Sequence, residues 1–191
     1  MKDTRQRLLD AAVELISENG LAGCTQPRVA QRAELRQSNL TYYFPSRKAL
    51  LAAVAHEAVI RRVAAFAAIE AQPNLNGKID SLAVLLTDDS QTRVLLALVQ
   101  IADQNSEVRS AFGALRAGAL SLARDLIKDS GSGPNPTAEA LLQSTSTGIA
   151  VLALANSGQD MIAVASANLR ALLSLPTPDP PPPSRQEVGT P

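Results

Sequence analysis

Between Asn19-Gly20 and Pro45-Ser46 the chain leaves room for two short helices and one tight corner, and little else. Thr25 is a good N-cap, Pro27 falls in a first turn where a missing N–H does little harm, and Val29 and Ala30 give that helix an inward side. The helix stops near Ala33. Glu34-Leu35-Arg36 then has to turn the chain, with Leu35 plugging the angle. A second helix covers about Gln37 to Tyr43, with Leu40 and Phe44 as its core anchors. Its other positions are polar or amphipathic: Gln37, Ser38, Asn39, Thr41, Tyr42 and Tyr43. Both tyrosines of the chain and one of its three phenylalanines lie together at residues 42–44.

The rest of the chain reads as helix. Hydrophobic residues make up 46% of it, dominated by alanine and leucine, which favour helices over strands. Leu8, Ala12, Leu15 and Ile16 form one stripe over about Thr4 to Asn19, which Gly20 ends. Ser46 caps a long fourth helix, about Arg47 to Ala71, whose apolar spacing through Leu50, Val54, Ala58, Phe66 and Ile69 holds until Pro73. Further helices are expected over about 77–86, over Ser90 or Gln91 to Asp103, and from about Ser106. Ser130 to Pro136 is a flexible connection. A final pair, about 136–156 and 159–175, is joined at Gly158 closely enough to form an antiparallel hairpin. The tail from Pro176, with PTPDPPPPS, cannot hold a helix and is expected to be extended or disordered. The fold class is therefore all-α with about nine helices. Three parts are expected: a helix-turn-helix head over 1–46, a helical body over 47–175 and a disordered tail over 176–191.

The head has the chemistry of a DNA reader. In a helix-turn-helix the first helix braces the second, whose N-terminal residues meet base edges in the major groove. Gln37 and Asn39 can each bond adenine bidentately, and the Thr41 methyl can touch thymine. Ser38 is exposed beside them. Tyr42, Tyr43, Arg47 and Lys48 suit phosphate, the last two at a helix N-terminus that already attracts anions. Arg28, at the start of the bracing helix, reaches a base or the backbone. Charge follows the same division: residues 1–70 carry ten Lys/Arg against seven Asp/Glu, and residues 71–191 eight against eleven.

TRQRLLDAAVELISENG, then T-x-x-x-V-A, A-x-L and L-x-Y-Y-F-P-S-R-K-A-L-L, over residues 4–55, together resemble the DNA-binding head of the TetR family of bacterial transcription regulators. The resemblance covers about a quarter of the chain. It implies that the remainder is a ligand-binding and dimerising helical domain. It also implies a repressor that leaves a palindromic operator when a small ligand moves the long fourth helix. The pattern departs from the family at the corner, where Ala-Gly-Val-Ser is usual and Ala33-Glu34-Leu35-Arg36 stands here. The glycine is lost, and Arg36 replaces a capping serine, in exchange for which it gains a phosphate contact. Asn39 and Thr41 stand where glycine and tyrosine are frequent. These changes motivate an alternative: a helical dimer, binding ligands or other proteins, whose head no longer reads DNA specifically.

An effector pocket between the fourth and seventh helices would be apolar, with Phe66 and Phe112 as its aromatics and Gln100, Asp103, Gln104 and Arg116 as its polar points. Such a pocket suits a mostly apolar ligand of modest size. The final helix pair carries small residues on one face, Ala140, Ser144 and Gly148, extended by Leu152 and matched by Val164, Asn168 and Leu172. That face is the expected homodimer interface.

Other chemistries find no support. His56 is the only histidine and Cys24 the only cysteine, so neither a zinc site nor a disulfide framework can be assembled. There is no Ser–His–acid order, HExxH or glycine-rich phosphate loop, so no catalytic residue, metal or cofactor is expected. The charged start MKDTRQRLLD has no apolar signal-peptide core, and no apolar run reaches the roughly 18–20 residues of a membrane span. A cytoplasmic protein, associated with the nucleoid when bound to DNA, is the expectation.

Overall fold

In a computed structural model the structure is described for residues 3–156 and 160–174. The proline-rich tail and the joint at Gly158 lie outside these residues. Among the described residues there are nine helices and no strand: α1 (Thr4–Gly23), α2 (Gln26–Arg32), α3 (Gln37–Tyr43), α4 (Arg47–Glu70), α5 (Leu75–Leu86), α6 (Asp89–Val99), α7 (Ser106–Asp129), α8 (Pro136–Ala155) and α9 (Met161–Leu173).

Two apolar cores divide the molecule. The first joins Leu8, Leu15, Ile16, Val29, Leu40 and Phe44 of the head region to Leu50, Val54 and Val59 of α4, then to Leu98 of α6 and Val108 of α7. The second gathers Phe66 and Ile69 of α4 with Ile79 and Leu82 of α5, Leu126 of α7, Leu142 and Ile149 of α8, and Leu169 of α9. Each buried aliphatic side chain contributes about 1.5–3 kcal/mol. The long helix α4 therefore has one end in each core. It packs along α7, where Gly118 permits the approach: a Cβ there would stand 3.2 Å from Val63 and 3.3 Å from Phe66.

Caps explain where the helices differ from the periodicity. Gly20 breaks α1 with φ 65°, as its position after Asn19 requires, and one further turn follows it to Gly23. Helix α5 begins at Leu75, two residues ahead of Gly77, because the Asn74 side chain accepts from the Gly77 N–H at 2.8 Å. Helix α6 begins at Asp89 because Asp88 accepts from the Gln91 N–H. It ends at Val99, four residues short of Asp103, since residues 101–104 form a turn leading to Asn105, the cap of α7. Thr25 and Arg36 occupy N-cap positions without a side-chain cap bond, whereas Ser46 caps α4 through the Ala49 N–H.

Ion pairs tie the layers. Lys78, buried on α5, donates to Asp125 at 2.5 Å and Asp129 at 2.6 Å, both on α7. Asp10 of α1 pairs with Arg61 of α4, which also bonds Glu57, and Gln6 donates to both carboxylates. Helix α8 has the length and mean hydropathy of a membrane span, which the run-length reading missed. Its buried positions pack into the second core, and its buried Glu139 pairs with Arg124 at 3.0 Å.

Candidate nucleic-acid interface and effector cavity

The corner between α2 and α3 is a complete left-handed helix stop. The Leu35 N–H bonds the Ala30 carbonyl at 2.9 Å, and the Glu34 N–H bonds the Gln31 carbonyl at 3.0 Å. This is the Schellman pair, and it requires a positive φ at the residue after the cap. Glu34 supplies it, at φ 55°. Without glycine, the chain still makes the turn that glycine would have made. Arg7 donates to the Ala33 carbonyl at 2.7 Å, and Arg32 pairs with Glu14 and Glu18, so α2 is braced against α1. The bond from Arg32 holds the Glu18 carboxyl below its ordinary range.

Helix α3 is seated on this brace by Leu40, which is fully buried, and by Phe44 just after it. Gln26 donates to the Phe44 carbonyl at 3.1 Å and fixes the far end. The outer face consists of Gln37, Ser38, Thr41 and Tyr42, all exposed, with Tyr42 at 81%. Asn39 and Tyr43 are half-buried at its edges. The two tyrosine rings meet edge to face at 5.1 Å, which orients Tyr42 outward. Thr41 Oγ donates to the Gln37 carbonyl, leaving its methyl as the group on offer. Arg28, Arg36, Arg47 and Lys48 are exposed, Arg28 on α2, Arg36 just before α3, and Arg47 and Lys48 at the start of α4. Arg36 and Lys48 are in no ion pair among the described residues, while Arg47 donates to the Leu21 carbonyl at 2.8 Å and ties α4 to the end of α1. Of the ten residues singled out for nucleic acid, eight are exposed and Asn39 and Tyr43 are half-buried, with Arg47 also holding the backbone.

The body holds a half-open cavity of about 370 Å3 lined by α4, α5, α6, α7 and α8. That size is typical of small-molecule sites. Phe66, Phe112 and Arg116 line it, as the sequence suggests. Gln100, Asp103 and Gln104 do not. They sit where α6 has already given way to the turn, and Asp103 points to solvent beside Arg109. Sequence reasoning missed Arg62, Thr92 and the α8 wall with Gln143, Ser146 and Thr147. The signal for Arg62 was present: it falls on the stripe Ala55, Val59, Arg62, Phe66, Ile69, all buried on α4. Its guanidinium donates to the Leu85 carbonyl at 2.9 Å and lies 6.0 Å from the Phe66 ring. Burial pulls its pKa down, against a smaller opposing effect of Asp88.

On α8 and α9, Ala140, Ser144, Leu152, Val164 and Asn168 are exposed, and Gly148 and Leu172 are half-buried. Leu141 and Ile162 add to this apolar surface on α8 and α9.

Residues 8–54 match the sequence model of "Bacterial regulatory proteins, tetR family". An HTH-type transcriptional regulator from the dhlA 5' region of Xanthobacter autotrophicus is 44% identical over 50 residues, which is 26% of this chain and 25% of that protein. The class D tetracycline repressor protein of Escherichia coli is 37% identical over 57 residues, 30% of this chain and 26% of that one. The matched segment thus spans about a quarter of the length of these relatives. The likeness in fold extends much further. The crystal structure of a TetR transcription regulator from Haloarcula marismortui superposes with a TM-score of 0.76, at 18% identity, covering 91% of this chain and 97% of that one.

Proposed function

We propose, for a chain whose residues 8–54 match the tetR family and whose nine described helices share the fold of solved TetR regulators, a DNA-binding transcriptional regulator that acts as a dimeric repressor. It sits on a palindromic operator and leaves when a small, mostly apolar ligand fills the cavity. The observation that carries the reading is the outer face of α3, which is anchored from behind by Leu40 and Phe44 while Gln37, Ser38, Thr41 and Tyr42 stand in solvent. A short helix so presented fits a major groove, with Arg28, Arg36, Arg47 and Lys48 on the flanking phosphates. The exposed apolar surface of α8 and α9 supports pairing with a second copy, which would place two such heads on one duplex. Helix α4 couples the two ends: its N-terminus carries Arg47 and Lys48, and its last turns wall the cavity. A ligand that moves α4 changes the spacing of the heads from the about 34–36 Å that successive grooves require.

The alternative, a head that no longer reads DNA, drew on the altered corner. The Schellman bonds at Glu34 leave it with less support.

Selecting bound fragments from a random duplex pool tests the reading directly. A two-fold symmetric site should emerge, with affinity falling steeply as salt rises. Lys48→Ala should flatten that slope by about 1 per head and weaken all sequences alike, whereas Asn39→Ala should relax base preference. Recovery of no sequence above background would refute the proposal. Light scattering at micromolar concentration should report a dimer.

A further inference from the structure

We propose that the cavity takes an amphipathic anion, a carboxylate on an apolar body, whose head group pairs with Arg62 and accepts a hydrogen bond from Thr92. The inference rests on the cavity being the effector site and adds the chemistry of what fills it. Arg62 is only 5% exposed, yet it makes no ion pair among the described residues. A guanidinium offers five N–H donors, and one bond to the Leu85 carbonyl leaves most of them without a protein acceptor. A buried charge held in this way is costly unless something compensates it. Asp88 lies near enough to be felt electrostatically, but its two oxygens accept from the Gln91 backbone N–H and side chain in capping α6.

Thr92 is an independent observation on the same cavity. It is 5% exposed, and its Oγ1 has no hydrogen-bond partner among the described residues. A core threonine without a partner is unfavourable where valine would serve, and in a ligand site it supplies a donor. A carboxylate would take up both the guanidinium and the hydroxyl, while Phe66, Leu122 and Leu126 cover its apolar part. The same cation ties α4 to the last turn of α5, so a head group drawing on Arg62 acts directly on the long helix.

Titration calorimetry at fixed neutral pH, with octanoate and octanol as matched probes, decides the matter. The full chain should bind octanoate at least about tenfold more tightly than octanol, the gain of a charge-assisted pair. Arg62→Met should erase that preference while leaving octanol binding in place, Thr92→Val should reduce it, and Arg109→Gln, outside the cavity on the exposed surface of α7, should leave it unchanged. Circular dichroism checks that the variants remain helical, and the wild-type ratio needs no variant. If octanol binds as tightly as octanoate, or Arg62→Met keeps the preference, the head-group inference is overturned and the cavity reading stands. If neither probe binds up to millimolar concentration, both are overturned.

Discussion

Replacing Glu34 by glycine should make the protein more stable, against the usual direction of a glycine substitution. Glu34 holds φ 55° because the two bonds that close α2 demand it. An L-residue pays roughly 1–2 kcal/mol for that left-handed backbone, since its Cβ crowds the following carbonyl. Glycine removes the clash but enlarges the unfolded ensemble, which takes back about 0.4–1 kcal/mol. The side chain is exposed and in no ion pair among the described residues, so its loss removes little. The net gain for Glu34→Gly is then about 0–1.6 kcal/mol, centred near 0.8, and the central value is roughly 2–3 °C in Tm for a chain of this size. Guanidinium and thermal unfolding followed at 222 nm, at one protein concentration, would measure it. Glu34→Ala is the control, because it deletes the carboxylate and keeps the Cβ; it should match wild type or fall below it. Glu34→Asn should lie between the two, asparagine being more tolerant of this backbone. Equal gains in the alanine and glycine variants would refute the strain argument in favour of a charge effect. A less stable glycine variant would refute it outright.

Leu40→Ala should cost about 2–5 kcal/mol and abolish duplex binding, since it empties the seat beneath α3; unfolding and fluorescence anisotropy would report each loss. Lys78→Ala should cost about 1–3 kcal/mol in guanidinium unfolding, at the lower end for a buried pair because Asp125 and Asp129 are about a third exposed. The bonds to Asp125 and Asp129 raise the Lys78 pKa above its ordinary 10.5, so this contribution is complete below that value and fades as pH climbs through the raised one. The wild-type advantage over Lys78→Ala should therefore shrink in strongly alkaline buffer. Burial lifts the Cys24 thiol to about 11, opposed only weakly by Arg47, so a thiol reagent at pH 8 should react with native protein slowly and with unfolded protein at once. A fast native reaction would place Cys24 outside the core.

The head was legible because its constraints are local. Two breakers, a seven-residue helix and a pair of anchors determine which side chains can face outward, and the exposed set on α3 follows. Stripes on α4 and α7 were legible for the same reason. The error at Gln100, Asp103 and Gln104 came from running an apolar pattern through a boundary set by the turn at 101–104 and the Asn105 cap of α7. Capping depends on a single side-chain oxygen and leaves no periodic trace. Arg62 was missed for the opposite reason, a charged residue on an apolar stripe being read as a gap. Neighbouring Arg61 has the same chemistry and reaches the surface network with Asp10 and Glu57. Helical spacing separates the two arginines, since Arg62 falls on the buried stripe with Val59 and Phe66 and Arg61 falls beside it. The α8 wall of the cavity could not have been seen, since nothing local brings residues 143–151 against α6 and α7.

Because α4 is rooted in both apolar cores, the molecule offers no clean place to cut. A fragment ending near Pro45 would lose Leu50, Val54 and Val59, and with them the floor on which Leu8, Leu15 and Leu40 rest. Chimeras that graft this reader onto another body would have to carry α4 as far as Val59 and supply surrogates for Leu98 and Val108. A graft made at the loop would express as a head without footing.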